Sequence, residues 1–253
     1  MSFFSLPVTI TIFYIVLGFG ILLFGATIKG AMGVGMPLVA VPLLSLIMPA
    51  SQAMGWLVAP VLVSNAMQSN EAKSVSLVIR RMSWLLTSQF IAMVFTVKWT
   101  TTISVTDINK LVGVIVVLAA ALLAFKPQGK IPAAYEKPLG ILVGAFAGFI
   151  GGVSSLTGPV LVTYLLALRL PRDEFVGTIS IIYFLTGLPM YIVMLLYGRF
   201  SVYEVALSGL ALLPMFLGLR LGKQIRNRLN EQTFRGLLLT FLIAVAMLLM
   251  FKP

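Results

Sequence analysis

The sequence contains neither cysteine nor histidine. Disulfides, thiol relays, c-type haem attachment, ordinary zinc sites and Ser-His-Asp catalysis each need one of these side chains, so most enzyme classes drop out at once. Acidic residues are scarce too, with seven Asp and Glu against eighteen Lys and Arg in 253 residues. Charged residues make up 10% of the chain, where an average soluble domain has roughly 25%. A water-soluble fold of this size cannot cover its surface with so few. No Walker-type phosphate loop occurs, so any pumping by ATP would need another subunit.

What the chain has instead is apolar sequence: 60% hydrophobic residues and a mean hydropathy of +1.07. Long uncharged runs lie at 8–28, 36–70, 82–97, 111–125, 138–168, 175–198, 205–219 and 236–251, which makes eight hydropathy blocks. A helix needs about 20 residues to cross the hydrocarbon, so the blocks 36–70 and 138–168 are too long for one crossing. The turn signal Pro49-Ala50-Ser51-Gln52 divides the first into 36–48 and 53–70. The glycine-rich stretch from Gly151 to Pro159 divides the second into 138–150 and 160–168. The expected fold is therefore an all-α polytopic membrane protein of about ten segments, two of them short. Met1–Pro7 carries neither a basic stretch nor a small-residue cleavage site, so no removable signal peptide is expected.

The basic residues record topology. Alternate loops holding Lys73, Arg80, Arg81, Lys126, Lys130, Lys137, Arg169, Arg172, Arg220, Lys223, Arg226, Arg228 and Arg235 contain thirteen of the eighteen. The other set holds Lys98, Lys110, Arg199 and Lys252. Cytoplasmic loops attract Lys and Arg, which places the rich set inside and both termini outside, in a multi-pass protein of the bacterial inner membrane. The net charge of +11 then reads as topology and contact with anionic lipid rather than nucleic-acid binding. All seven acidic residues sit at or beyond segment ends.

Residues 25–44 resemble residues 146–165: an apolar helix, a cluster of glycine and small residues, a proline, then a short apolar segment. The copies lie about half a chain apart. Five segments per half is an odd number, so the halves 1–128 and 129–253 are expected to be inverted repeats related by a pseudo-two-fold axis in the membrane plane. In secondary transporters built this way, paired short or Gly/Pro-interrupted segments point to the binding site. Segments 36–48 and 160–168 are that pair.

At these residues the sequence resembles the sulfite exporter TauE/SafE family. Gly30, Gly33 and Gly35, followed by Met36, Pro37 and the run Val41-Pro42-Leu43, are similar to the family's repeated glycine signature. Gly151 through Gly158, with Val162-Thr163-Tyr164, is similar to its second copy. Met36, Pro37, Ser154, Leu156 and Thr157 replace small positions of the pattern, and Thr163 stands where the family often has proline. The resemblance implies transport of a small sulfur-containing anion: sulfite, thiosulfate, or an organosulfonate such as sulfoacetate or taurine.

Candidate substrate-binding residues are Lys29, Gly33, Gly35 and Met36 at the first hairpin, and Ser154, Ser155, Thr157 and Gly158 at the second. Asn65 and Gln68, Gln89, and Thr186 join them from the spans. Asn65 and Gln68 rank above the hydroxyls, because amides are costly to bury and these two share a helix face at i, i+3. Ser64, Ser88, Thr178 and Tyr183 are also polar positions within spans. Isolated Ser and Thr in membrane helices usually bond their own backbone. Lys29 reads either as a snorkelling anchor at the end of an already sufficient span or as a cation facing a cavity. No metal ligand set and no cofactor are expected, and the chain is not expected to be an enzyme, since no nucleophile with a base is visible within the spans.

The expected activity is export by alternating access. An exported monoanion gains about 2.3 kcal/mol per 100 mV from an interior-negative potential, whereas import would need a co-transported cation and no mid-membrane carboxylate is there to carry a proton. The rival class is a non-transporting membrane scaffold whose glycine hairpins are packing devices. Expected partners are the anion and membrane lipid, without nucleic acid, and a homo-oligomer is compatible with the composition.

Overall fold

A computed structural model describes residues 8–33, 35–124, 130–226, 243, 247 and 248. Eleven α-helices follow one another among them. They are α1 (Val8–Met32), α2 (Met36–Ile47), α3 (Ala50–Trp56), α4 (Val58–Gln68), α5 (Val75–Thr100), α6 (Val105–Ala124), α7 (Ala133–Ser154), α8 (Gly158–Ala167), α9 (Arg172–Leu196), α10 (Val202–Leu210) and α11 (Leu212–Arg226). No strand occurs among the described residues. Helices α1, α6, α7 and α9 are long and apolar enough to cross a membrane, and α10 with α11 makes a fifth such unit bent by 47°. The chain is an all-α polytopic membrane protein.

Each expected segment up to 205–219 coincides with a helix or a broken helix, and the last, 236–251, lies outside the described residues. The breaks are a correction to the hydropathy reading. Segment 53–70 is two helices meeting at Leu57, and segment 205–219 is two helices meeting at Ala211. Prolines explain both. A proline ring collides with the carbonyl four residues earlier, so Pro60 interrupts the helix at Trp56 and Pro214 at Leu210.

Helix starts follow local chemistry. Ser201 and Glu204 form a reciprocal capping box at α10, the Ser74 hydroxyl caps α5, and Asp107 and Glu136 lie in the first turns of α6 and α7. These are the interfacial positions the acidic residues were expected to take. Arg81 pairs with Glu136 through both carboxylate oxygens at 2.5 and 3.0 Å, tying the start of α5 to that of α7.

Glycine decides which helices touch. On α7, Gly144, Gly148 and Gly152 line one face, and a Cβ at any of them would collide with Leu85, Gln89 or Thr96 of α5. On α11, Gly218 and Gly222 meet the Leu23 and Thr27 carbonyls of α1, while Gly30 of α1 meets Leu219. Close backbone approach of this kind is how membrane helices gain packing where lipid offers no hydrophobic incentive. The most extensive helix pairs are accordingly α5 with α7 and α1 with α11. The outer faces carry exposed apolar side chains, among them Phe95, Leu142, Leu196 and Leu213. That surface suits lipid and would be untenable in water.

Candidate functional site

The two glycine hairpins meet. Helix α2 starts at Gly35, whose φ of 104° is the left-handed region, two residues after Gly33 at φ 83°. Such backbone favours glycine, and it lets the chain reverse within three residues of α1. Helix α7 ends at Ser155 with φ 60° and ψ 10°, a left-handed cap usually filled by glycine. Serine here places a hydroxyl where glycine would leave none. Helix α8 follows immediately, with Thr157 before it and Pro159 in its first turn. Neither α2 nor α8 has a side-chain cap, so the first-turn N–H groups of both stay open to another partner.

Between the hairpins lies a cavity with about 520 Å³ of atom-free space, part of it open to the outside. The N-terminal turns of α2 (Gly35, Pro37, Leu38) and of α8 (Thr157, Gly158, Pro159) both line it. At about 18 Å and 15 Å these helices are too short for a 30 Å core, and both begin at this cavity. Helix N-termini carry partial positive charge and free N–H donors, so two of them present such donors to one space.

Side chains line the same space. Lys29 of α1 is 2% exposed, and its Nζ donates a hydrogen bond to Oδ1 of the equally buried Asn65 on α4. The anchoring alternative for Lys29 is thereby removed, since a snorkelling lysine keeps its head in water. Helix α9 presents Tyr183, Thr186, Gly187, Met190 and Tyr191, one helical face by their spacing. Tyr183 Oη rests against Gly158, where a Cβ would stand 3.0 Å from it. The buried hydroxyls of Tyr183, Tyr191 and Ser155 have no hydrogen-bond partner of normal geometry, although Ser155 lies close enough to Tyr191 to interact. No Asp or Glu lines the cavity.

Of the expected residues, Lys29, Gly35, Asn65, Ser155, Thr157, Gly158 and Thr186 come together here. Gln89 lines an adjoining narrow crevice that shares Thr157, Thr186 and Met190 with the first. Its Nε2 donates to Thr186 Oγ1 at 3.1 Å, and its Oε1 is unpartnered. Gly33, Met36, Gln68 and Ser154 are not on the lining. Gly33 packs on Val176, Met36 is wholly buried, and Ser154 Oγ donates to the Ile150 carbonyl at 2.9 Å. Gln68 sits one turn beyond Asn65, at the end of α4, where the shared face leaves the cavity. Tyr191 was missed by sequence reasoning. Its signal was the i+8 spacing from Tyr183 along α9.

A polytopic helical membrane protein with an internal, largely apolar cavity at which two half-length helices begin is thus the class to which the chain belongs. Within that class, the model of the family described as Sulfite exporter TauE/SafE matches residues 17–249, nearly the whole chain. The protein belongs to this family. No curated protein and no solved structure matches the chain.

Proposed function

We propose that the protein is a secondary transporter that binds a small sulfur-containing anion in the cavity between the hairpins and exports it by alternating access. The observation that carries this reading is convergence: two uncapped helix N-termini, one buried lysine, the unpartnered Tyr183 hydroxyl and the neighbouring hydroxyls of Ser155 and Tyr191 face a single space lined by no carboxylate. Oxyanions such as sulfite and thiosulfate, and the sulfonates, offer several acceptor atoms and negative charge to such donors. Saturable flux of sulfite, thiosulfate, sulfoacetate or taurine into liposomes containing the protein, unmatched by chloride, is the expected result. Flux that rises linearly with concentration and equals that of empty liposomes would leave only the scaffold reading.

The halves 1–128 and 129–253 are read as inverted repeats. The helix pairs support this: exchanging α1 with α7 and α5 with α11 converts the α5–α7 pair into the α1–α11 pair, and these are the two most extensive contacts. Both termini are read as outside the cytoplasm from the basic loops. Single cysteines introduced at Gln128 and Asn227 are expected to react with an impermeant maleimide only from the cytoplasmic side, and one at Ile103 only from outside. Labelling of 128 and 227 from opposite sides would remove the inverted arrangement.

A further inference from the structure

The cavity contains one amine and nothing to balance its charge. Lys29 Nζ donates a single hydrogen bond, to Asn65. Around it, α2 and α4 contribute no ionisable group to the lining, the hairpin from Ser155 to Pro159 contributes none, and α9 contributes only the phenols of Tyr183 and Tyr191. Helix α11 packs on α1 through Leu219 and Gly222, while its Arg220 and Lys223 are exposed. The ion pairs among the described residues, Lys73 with Glu174 and Arg81 with Glu136, lie elsewhere.

Two helix N-termini, each equivalent to about half a positive charge, also end at this cavity. These N-termini oppose an ammonium ion, and the lining offers it neutral oxygens, of which that of Asn65 is bonded to it, and no anion. A buried charge left without a counter-ion costs several kcal/mol, so the empty cavity favours a neutral amine bonded to Asn65. A bound anion reverses that balance by supplying the missing counter-charge.

Building on the anion reading, we propose that the cavity takes up one proton with each anion, on the Lys29 side chain, and releases both on the far side. The proton comes from water on the open side, adds to the amine lone pair, and returns to water when the cavity opens on the other. No bond of the anion is made or broken. The moving unit for a monoanion is then neutral, so membrane potential drives neither direction; direction follows the combined gradients of the anion and of protons, and export requires an outward anion gradient larger than any inward proton gradient. The missing mid-membrane carboxylate does not exclude proton coupling, because a buried lysine serves instead.

The test uses the full-length protein in liposomes with a pH dye inside, and thiosulfate and methanesulfonate as probes, since neither takes up a proton near neutral pH. Saturable entry of a probe accompanied by internal acidification is expected, with methanesulfonate entry unaffected by an imposed potassium–valinomycin potential. Apparent affinity should fall about tenfold per pH unit on the alkaline side, because the anion binds the protonated form. Calorimetry of the wild-type protein in two buffers of different ionisation enthalpy should count about one proton per anion, and this measurement needs no variant. Lys29→Arg, which keeps its charge at every accessible pH, should lose both the acidification and the pH dependence. Saturable entry without acidification, with a proton count of zero, overturns the coupling and leaves the anion site standing. Absence of saturable entry for sulfite as well as both probes overturns the anion reading and the coupling with it.

Discussion

Lys29→Met is expected to abolish saturable anion flux while leaving the protein folded. Methionine fills much of the volume of the lysine stem without its charge, in a position that is 2% exposed. Truncating one partner of a buried, hydrogen-bonded charge pair typically costs about 2–5 kcal/mol of binding, which predicts a loss of at least roughly 30-fold in apparent affinity. Stability moves the other way. Removing a buried amine whose one hydrogen bond goes to Asn65 relieves its desolvation cost, against which stands about 1–3 kcal/mol for the orphaned Asn65 oxygen. The double variant Lys29→Met/Asn65→Leu removes that penalty as well, and its melting temperature is expected to match or exceed that of the wild type. Unchanged flux in a correctly folded Lys29→Met protein would take the lysine out of the site.

Tyr183→Phe is expected to separate binding from stability. The Tyr183 hydroxyl is buried without a partner and rests on Gly158 at the first turn of α8. A buried unsatisfied hydroxyl costs about 1–3 kcal/mol, so its deletion should stabilise the empty protein by about 1 kcal/mol and raise its melting temperature. If the hydroxyl donates to the anion, the same deletion should weaken binding about fivefold to tenfold, the worth of one hydrogen bond. Thermal unfolding with and without thiosulfate measures both effects on one sample. A purely structural tyrosine would change the melting temperature and leave the thiosulfate-dependent shift as it was.

The unpartnered groups make sense together. Folding normally pairs buried polar atoms; among the exceptions here, the hydroxyls of Ser155, Tyr183 and Tyr191 line the cavity where the two half-length helices begin, while the unpartnered atoms of Gln68, Ser180 and Arg199 lie away from it. Ser155 adds backbone strain, since its left-handed conformation is one that few residues other than glycine adopt. At Ser155 the two coincide, a left-handed backbone and a hydroxyl on the cavity lining, as at a site held ready for a ligand.

Much of this was legible in one dimension. Membrane solvent requires every spanning backbone to satisfy itself, so uninterrupted apolar runs translate directly into helices, and α1, α6, α7 and α9 follow from hydropathy alone. The glycine clusters at Gly33–Gly35 and Gly151–Gly158 marked both hairpins, because only residues tolerant of reversed backbone and close approach occupy such turns. Proline consequences were legible in principle but missed: Pro60 and Pro214 break helices that hydropathy counts as continuous.

Sequence by itself determined the solvent, the helices, the paired hairpins and the short list of groups able to meet an anion, because each depends on local composition and spacing. Tertiary structure decided which of those groups share a space. Lys29 could have reached either the interface or the interior, and the glycine contact of α1 with α11 together with the Asn65 oxygen of α4 fixes it inside. Asn65 and Gln68 share a face at i, i+3, yet only the former lines the cavity, since a face one turn longer than the space it borders must run past it. Tyr191 entered for the complementary reason: α9, packed against both α4 and α5, runs beside the cavity for two turns, from Tyr183 to Tyr191.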